Sequence, residues 1–145
     1  MKNNKKGFTL IELLAVIVIL AIIMVIAVPQ ILNVINNSRN SAWNDNVKMI
    51  EKAIETNEAI MGTNMGTSNG TSSVFVTNGC TAGNIYAIAG LEEGGDTDIS
   101  VTTATSSSCV ISVSGDGQFA NQPTQTISCT PSTGCTIESA ATSGQ

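Results

Sequence analysis

An apolar run from Phe8 to Val28, broken by one charge at Glu12, constrains this chain more than any other feature. At ~1.5 Å of rise per helical residue such a run covers ~30 Å, the thickness of a bilayer's hydrocarbon core. In that core a bare amide finds no water, so the backbone must satisfy itself. Helix therefore wins, despite the many β-branched side chains. Lys2, Lys5 and Lys6 stand before the run. Basic residues on that side keep the N-terminus cytoplasmic and place everything after Pro29 outside the cytoplasm.

Two ordinary explanations cover part of this pattern. A secretory signal peptide has a shorter apolar core, about 7–15 residues, followed by a small-x-small cleavage motif. Here the run is longer and ends in Ala27-Val28-Pro29. A plain membrane anchor explains the Lys and the aliphatics but not Glu12. A carboxylate at membrane depth costs at least ~2.5 kcal/mol, so it calls for a function.

The stretch Lys5-Lys6-Gly7-Phe8-Thr9-Leu10-Ile11-Glu12-Leu13-Leu14, with the aliphatic helix behind it, resembles the N-terminus of type IV pilin precursors. The resemblance covers roughly the first 30 residues. It implies cleavage after Gly7 by a prepilin peptidase and N-methylation of the new first residue, Phe8. It places the family's buried glutamate, used in assembly, at Glu12 and its helix-bending proline at Pro29. It implies a fold of the α+β class. In that fold a long N-terminal α-helix, half transmembrane and half packed on the head, carries a small antiparallel β-sheet domain. It also implies the partners: further copies of the chain in a helical filament, the peptidase, and an assembly machinery with its ATPase and inner-membrane platform. Lipid surrounds the helix before assembly. No cofactor is implied. A pseudopilin of type II secretion or competence is the alternative within the family. An uncleaved, membrane-anchored extracytoplasmic binding module is the alternative outside it.

The chain divides accordingly into a leader (1–7), a hydrophobic helix (8–35) and a head (36–145). Pro29 lacks an N–H and crowds the turn before it, so it should kink or locally melt the helix. The head opens with the second half of the helix, 36–61. Asn33, Asn36, Asn37 and Ser38 are poor helix formers and weaken its beginning. From Trp43 the pattern is regular: Trp43, Val47, Ile50, Ile54 and Met61 make one apolar stripe that should pack on a sheet. Asp45, Lys48, Glu51, Lys52, Glu55 and Glu58 take the other faces. Residues 62–73 read as loop from their Gly, Ser, Thr and Asn. From 74 to 138 short alternating runs read as strands: Val74–Val76, Ile85–Ile88, Ile99–Val101, Cys109–Val113, Thr126–Cys129 and Cys135–Ile137. Ser114–Gln118 reads as a tight turn. The tail 139–145 is small and polar.

Large apolar residues are scarce in the head, so covalent staples matter. Four Cys allow three pairings. Those favoured are Cys129–Cys135, closing a hairpin, and Cys80–Cys109, tying the first strand region to the middle of the sheet. No C-x-x-C spacing supports a metal site instead. Glu92, Glu93, Asp96 and Asp98 gather around a Gly-Gly turn and make a weak Ca²⁺ candidate, though they match no defined motif.

The net charge is −5. Without the leader's Lys, three basic side chains face eleven acidic ones, a net of −8. That balance argues against nucleic-acid binding by a broad basic face, since Arg39, Lys48 and Lys52 make at most a small patch. The chain has no His, which removes histidine-based catalysis and the usual zinc ligation. The residues suggest a structural protein with no catalytic group.

Overall fold

The computed structural model describes residues 7–62, 72–76 and 78–139. The expected leader (apart from Gly7), most of the 62–73 loop and the last residues of the tail lie outside these. The elements in chain order are helix α1 (Leu10–Gly62), helix α2 (Ala82–Ala89), and strands β1 (Thr97–Thr105), β2 (Ser108–Gly115), β3 (Gln125–Thr130) and β4 (Gly134–Ser139). The fold is α+β. Contacts divide it into two units, residues 1–38 and 39–145.

In the first unit α1 is apolar on every side. None of its described side chains is buried, and every large apolar residue from Phe8 to Ile35 is exposed. A helix without a polar face suits a lipid or protein surround, not water. Helical backbone runs through Pro29 without interruption.

In the second unit α1 becomes amphipathic. Trp43, Val47, Ile50 and Ile54 are buried, as their spacing predicts. The stripe then departs from expectation: Asn57 is the next buried position, and Met61 is only half-buried. The sheet is an antiparallel meander in the order β1-β2-β3-β4. Its core face carries Ile99, Cys109, Ile111, Val113, Ile127, Cys129 and Cys135. Alternation along β2 and β3 is regular, one side chain buried and the next half-exposed. That is the signature of a sheet covered on one side.

Two polar contacts pin the loop side of this core to α1. The Trp43 indole N–H donates to the Pro123 carbonyl at 3.0 Å, and its ring packs 5.7 Å from that of Phe119. Gln125, buried in β3, donates to Asn44 at 2.8 Å. Both fall at the connection from β2 to β3. This is not the tight turn expected at Ser114–Gln118. It is a longer excursion through a 3₁₀ turn at Gly117–Phe119, which buries Phe119.

Two expected strands are corrected. Ile85–Ile88 belongs to α2. Thr81 caps that helix by accepting the Asn84 N–H, and Gly90, at φ 66°, ends it in the left-handed region. Ile85-Tyr86-Ala87-Ile88 alternates like a strand, but the caps at Thr81 and Gly90 mark it as a helix. Val74–Val76 is a turn. Its backbone is claimed by α1, where the Glu58 carboxylate accepts the Val74 N–H at 2.7 Å and the Ser73 hydroxyl at 2.6 Å. A backbone held by a side chain in this way is not free to join a ladder. The sheet therefore begins at Thr97.

Helix α2 protects the open edge of β1. The Tyr86 hydroxyl accepts the Ile99 N–H at 2.9 Å, a donor turned away from β2. An edge amide satisfied by a side chain cannot recruit another strand.

Candidate functional site

The residues expected to carry function sit where α1 begins. Gly7, Phe8 and Thr9 are not helical, and the helix starts at Leu10. Thr9 and Glu12 stop it there. The Glu12 carboxylate accepts both the Thr9 N–H and the Thr9 hydroxyl at 2.8 Å. The Thr9 hydroxyl in turn lies 3.4 Å from the Glu12 N–H. This reciprocal arrangement is a capping box. It satisfies amides that the first helical turn leaves without partners. Thr9 was missed as a partner of Glu12, although Thr-x-x-Glu before an apolar run is a legible signal.

Glu12 is thus held within its own chain, yet both residues are exposed. Only one carboxylate oxygen is used in these bonds. The other remains available to a cation from elsewhere. Phe8 is 90 % exposed, so its ring finds no pocket in this chain. At Gly7 an added Cβ would meet nothing within 4 Å, and the backbone there is not left-handed. Among the described residues nothing demands glycine at position 7.

The segment is followed directly by a helix long and apolar enough to cross a membrane, judged by length and composition. Comparison with family models matches residues 2–28 to the prokaryotic N-terminal methylation motif. That motif is the class III signal peptide of type IV pilins. Comparisons with curated proteins and with solved structures return no match. The motif supports a type IV pilin-like or pseudopilin protein, and the proteins that carry this motif are structural. It implies processing by prepilin peptidase and assembly into a pilus-like filament. With the apolar helix it fits a membrane-anchored protein that later becomes surface-exposed.

The other candidates lie in the head. Cys80 is joined to Cys109 and Cys129 to Cys135. The second bridge links directly opposed residues of β3 and β4. The acidic stretch does not converge. Glu92 and Glu93 are exposed. Asp96 accepts from the Gln118 amide at 2.7 Å, and Asp98 lies 3.4 Å from the Tyr86 hydroxyl. Among the described residues no three His, Cys, Asp or Glu side chains are grouped to hold a metal ion. Burial, above all, pushes the Tyr86 hydroxyl up from its ordinary pKa.

Glu55 and Glu58, placed by their spacing on the faces away from the apolar stripe, are structural. Glu55 pairs with Lys52 at 2.7 Å and accepts the Cys135 N–H at 3.3 Å, so it ties α1 to the start of β4. The Lys52 hydrogen bond first, then the Cys135 amide, holds its carboxyl below the usual range. Glu58 and Asn57 hold residues 72–74 on α1. Sequence spacing marks these positions as off the stripe but does not say which backbone they meet.

Proposed function

We propose that this protein is the structural subunit of a type IV pilus-like filament. The precursor waits in the cytoplasmic membrane as a single-pass protein with its N-terminus in the cytoplasm. Residues 1–7 are removed as a leader after Gly7, and Phe8 is N-methylated. Residues 8–35 then pass from lipid into a bundle of identical helices, and residues 36–145 form the head on the outside. The prepilin peptidase and an assembly platform with its ATPase act on it in turn. The filament's use in adhesion, twitching, biofilm or DNA uptake is compatible with such a head.

One observation carries this reading. A processing motif runs straight into a helix that is apolar all round except for one carboxylate. Cleavage after Gly7 would create an α-amine on Phe8, positive at neutral pH. Buried in a bundle, that amine and Glu12 of a neighbour would each be costly alone. Paired, they offset each other and set the axial register between subunits. The open environment of Gly7 and the free carboxylate oxygen of Glu12 both support the scheme.

Mass spectrometry of the N-terminal peptide from sheared and membrane fractions tests it. A methylated peptide starting at Phe8 in sheared material is the expected result. The same peptide confined to membranes would instead favour a pseudopilin. A leader still attached, in cells that have the peptidase, would overturn the proposal and leave an anchored module. Glu12→Ala should insert in the membrane but fail to assemble; normal filaments from it would refute the register argument.

A further inference from the structure

The two disulfides are neighbours in one row. Cys109 on β2 stands directly opposite Cys129 on β3, and Cys129 stands opposite Cys135 on β4. All three point to the core face, and Cys80 reaches that row through its bond to Cys109. In an antiparallel sheet the N–H and C=O of a residue both point to the same neighbouring strand. The Cα atoms of Cys129 and Cys135 are 4.0 Å apart, the close spacing of a pair that exchanges no backbone bonds. Cys129 therefore turns its backbone toward Cys109, a pairing with Cα atoms about 5.5 Å apart. That spacing falls within the range of roughly 4.4–6.8 Å that a disulfide can bridge. The sulfur of Cys129 thus has two partners in reach, Cys135 on one side and Cys109 on the other.

We propose that Cys80, Cys109, Cys129 and Cys135 form a disulfide-exchange row, in which opening the Cys129–Cys135 bridge at its outer end is passed through Cys109 to release Cys80. Access sets the direction. Cys135 is the most exposed of the four at 8 %, while Cys109 and Cys129 are at 1 %. An external thiolate attacks the Cys135 sulfur and forms a mixed disulfide there. The Cys129–Cys135 bond breaks, and its electron pair leaves on Cys129. The Cys129 thiolate then attacks the Cys109 sulfur. A Cys109–Cys129 bond forms, the Cys80–Cys109 bond breaks, and the thiolate leaves on Cys80. This second step needs no further reductant, because one disulfide replaces another.

The released thiol, Cys80 at 5 % exposure, is better placed for solvent than the Cys129 thiolate that displaces it, at 1 %. Cys80 lines an open cleft of about 530 Å³ with Val76, Asn78, Thr81 and residues 104–106. Reduction at one corner of the head would therefore free the segment before α2 from the sheet and release the β4 bridge, while β2 and β3 become covalently joined through Cys109–Cys129. That segment would then be held only by non-covalent ties, such as the Asn84 amide to the Ser72 and Gly79 carbonyls at 2.8 Å.

The test is partial reduction of the full-length protein in detergent with limiting dithiothreitol, trapping with iodoacetamide, and peptide mapping. The second thiolate of dithiothreitol attacks the dithiothreitol sulfur of the mixed disulfide, closing the cyclic disulfide and leaving Cys135 as a free thiolate. The expected two-electron-reduced species therefore carries label on Cys80 and Cys135, with Cys109 bridged to Cys129. Label on Cys129 and Cys135 with Cys80–Cys109 intact would overturn the proposal. So would label on Cys80 and Cys109 with Cys129–Cys135 intact. A variant gives an independent reading without added reductant: Cys135→Ser should form Cys109–Cys129 and leave Cys80 free to alkylate. Retention of Cys80–Cys109 with Cys129 free would refute the exchange.

Discussion

Replacing Glu58 by Ala should loosen one wall of the head without touching its apolar core. The carboxylate accepts the Val74 N–H at 2.7 Å and the Ser73 hydroxyl at 2.6 Å. The Val74 side chain is fully buried, so its amide has little access to water as a substitute partner. A hydrogen bond to a charged group contributes about 1.5–3 kcal/mol, and an orphaned buried donor costs about 1–3 kcal/mol. Glu58 is half-buried, so its two bonds together should contribute about 2–3 kcal/mol against local opening of residues 72–76. At about 1.4 kcal/mol per tenfold, the Val74 amide should exchange roughly 30- to 150-fold faster in Glu58→Ala. Glu58→Gln keeps an acceptor oxygen and should fall between the two. The assay is amide hydrogen exchange on the full chain in detergent, with Ile127 in β3 as an internal control. Unchanged exchange at Val74 would mean that the carboxylate does not hold this segment. Equal acceleration at Ile127 would mean global rather than local loosening, and would refute the argument equally.

Trp43→Phe removes the indole donor to Pro123 and shrinks a fully buried ring, so it should cost about 2–3 kcal/mol in denaturant unfolding followed by circular dichroism. Tyr86→Phe orphans the Ile99 amide and should cost about 1–3 kcal/mol at neutral pH. Because the folded pKa of Tyr86 lies above its ordinary 10.0, the hydroxyl's contribution is complete below pH 10 and declines as pH rises from there through the folded value. Alkaline unfolding of the wild type should show that slope, and Tyr86→Phe should lack it. Glu55 behaves in the opposite sense. Its folded pKa lies below the ordinary 4.5, so its contribution is present above pH 4.5 and is lost as pH falls through the folded value. Glu55→Gln should flatten the acid limb of the stability profile by less than about 1 kcal/mol, since the pair with Lys52 is largely exposed.

Much of this molecule was legible from local pattern. An unbroken apolar run with one carboxylate can be little other than a membrane-competent helix, because length, hydrophobicity and backbone satisfaction all act along the chain itself. The helical stripe from Trp43 to Ile54 and the four strands of the meander follow from periods of 3.6 and 2, which a sheet covered on one side preserves. The capping box at Thr9 and Glu12 was equally local and could have been read. Thr81 and Gly90 likewise mark α2, though the residues between them alternate like a strand.

Other features depended on distance. Val74–Val76 has the composition of a strand, yet Glu58, far away in sequence, takes its amide. Glu55 lies off the apolar stripe, and only the placement of β4 brings the Cys135 amide to it. The alignment of Cys109, Cys129 and Cys135 in one row exists only because register places them opposite one another. Periodicity, membrane competence and processing motif were thus determined by the sequence alone, since each rests on neighbours within a few residues. Which polar side chain meets which backbone, and which sulfurs adjoin, was decided only by the tertiary structure, because those contacts form between segments whose separation in the chain carries no periodic signal.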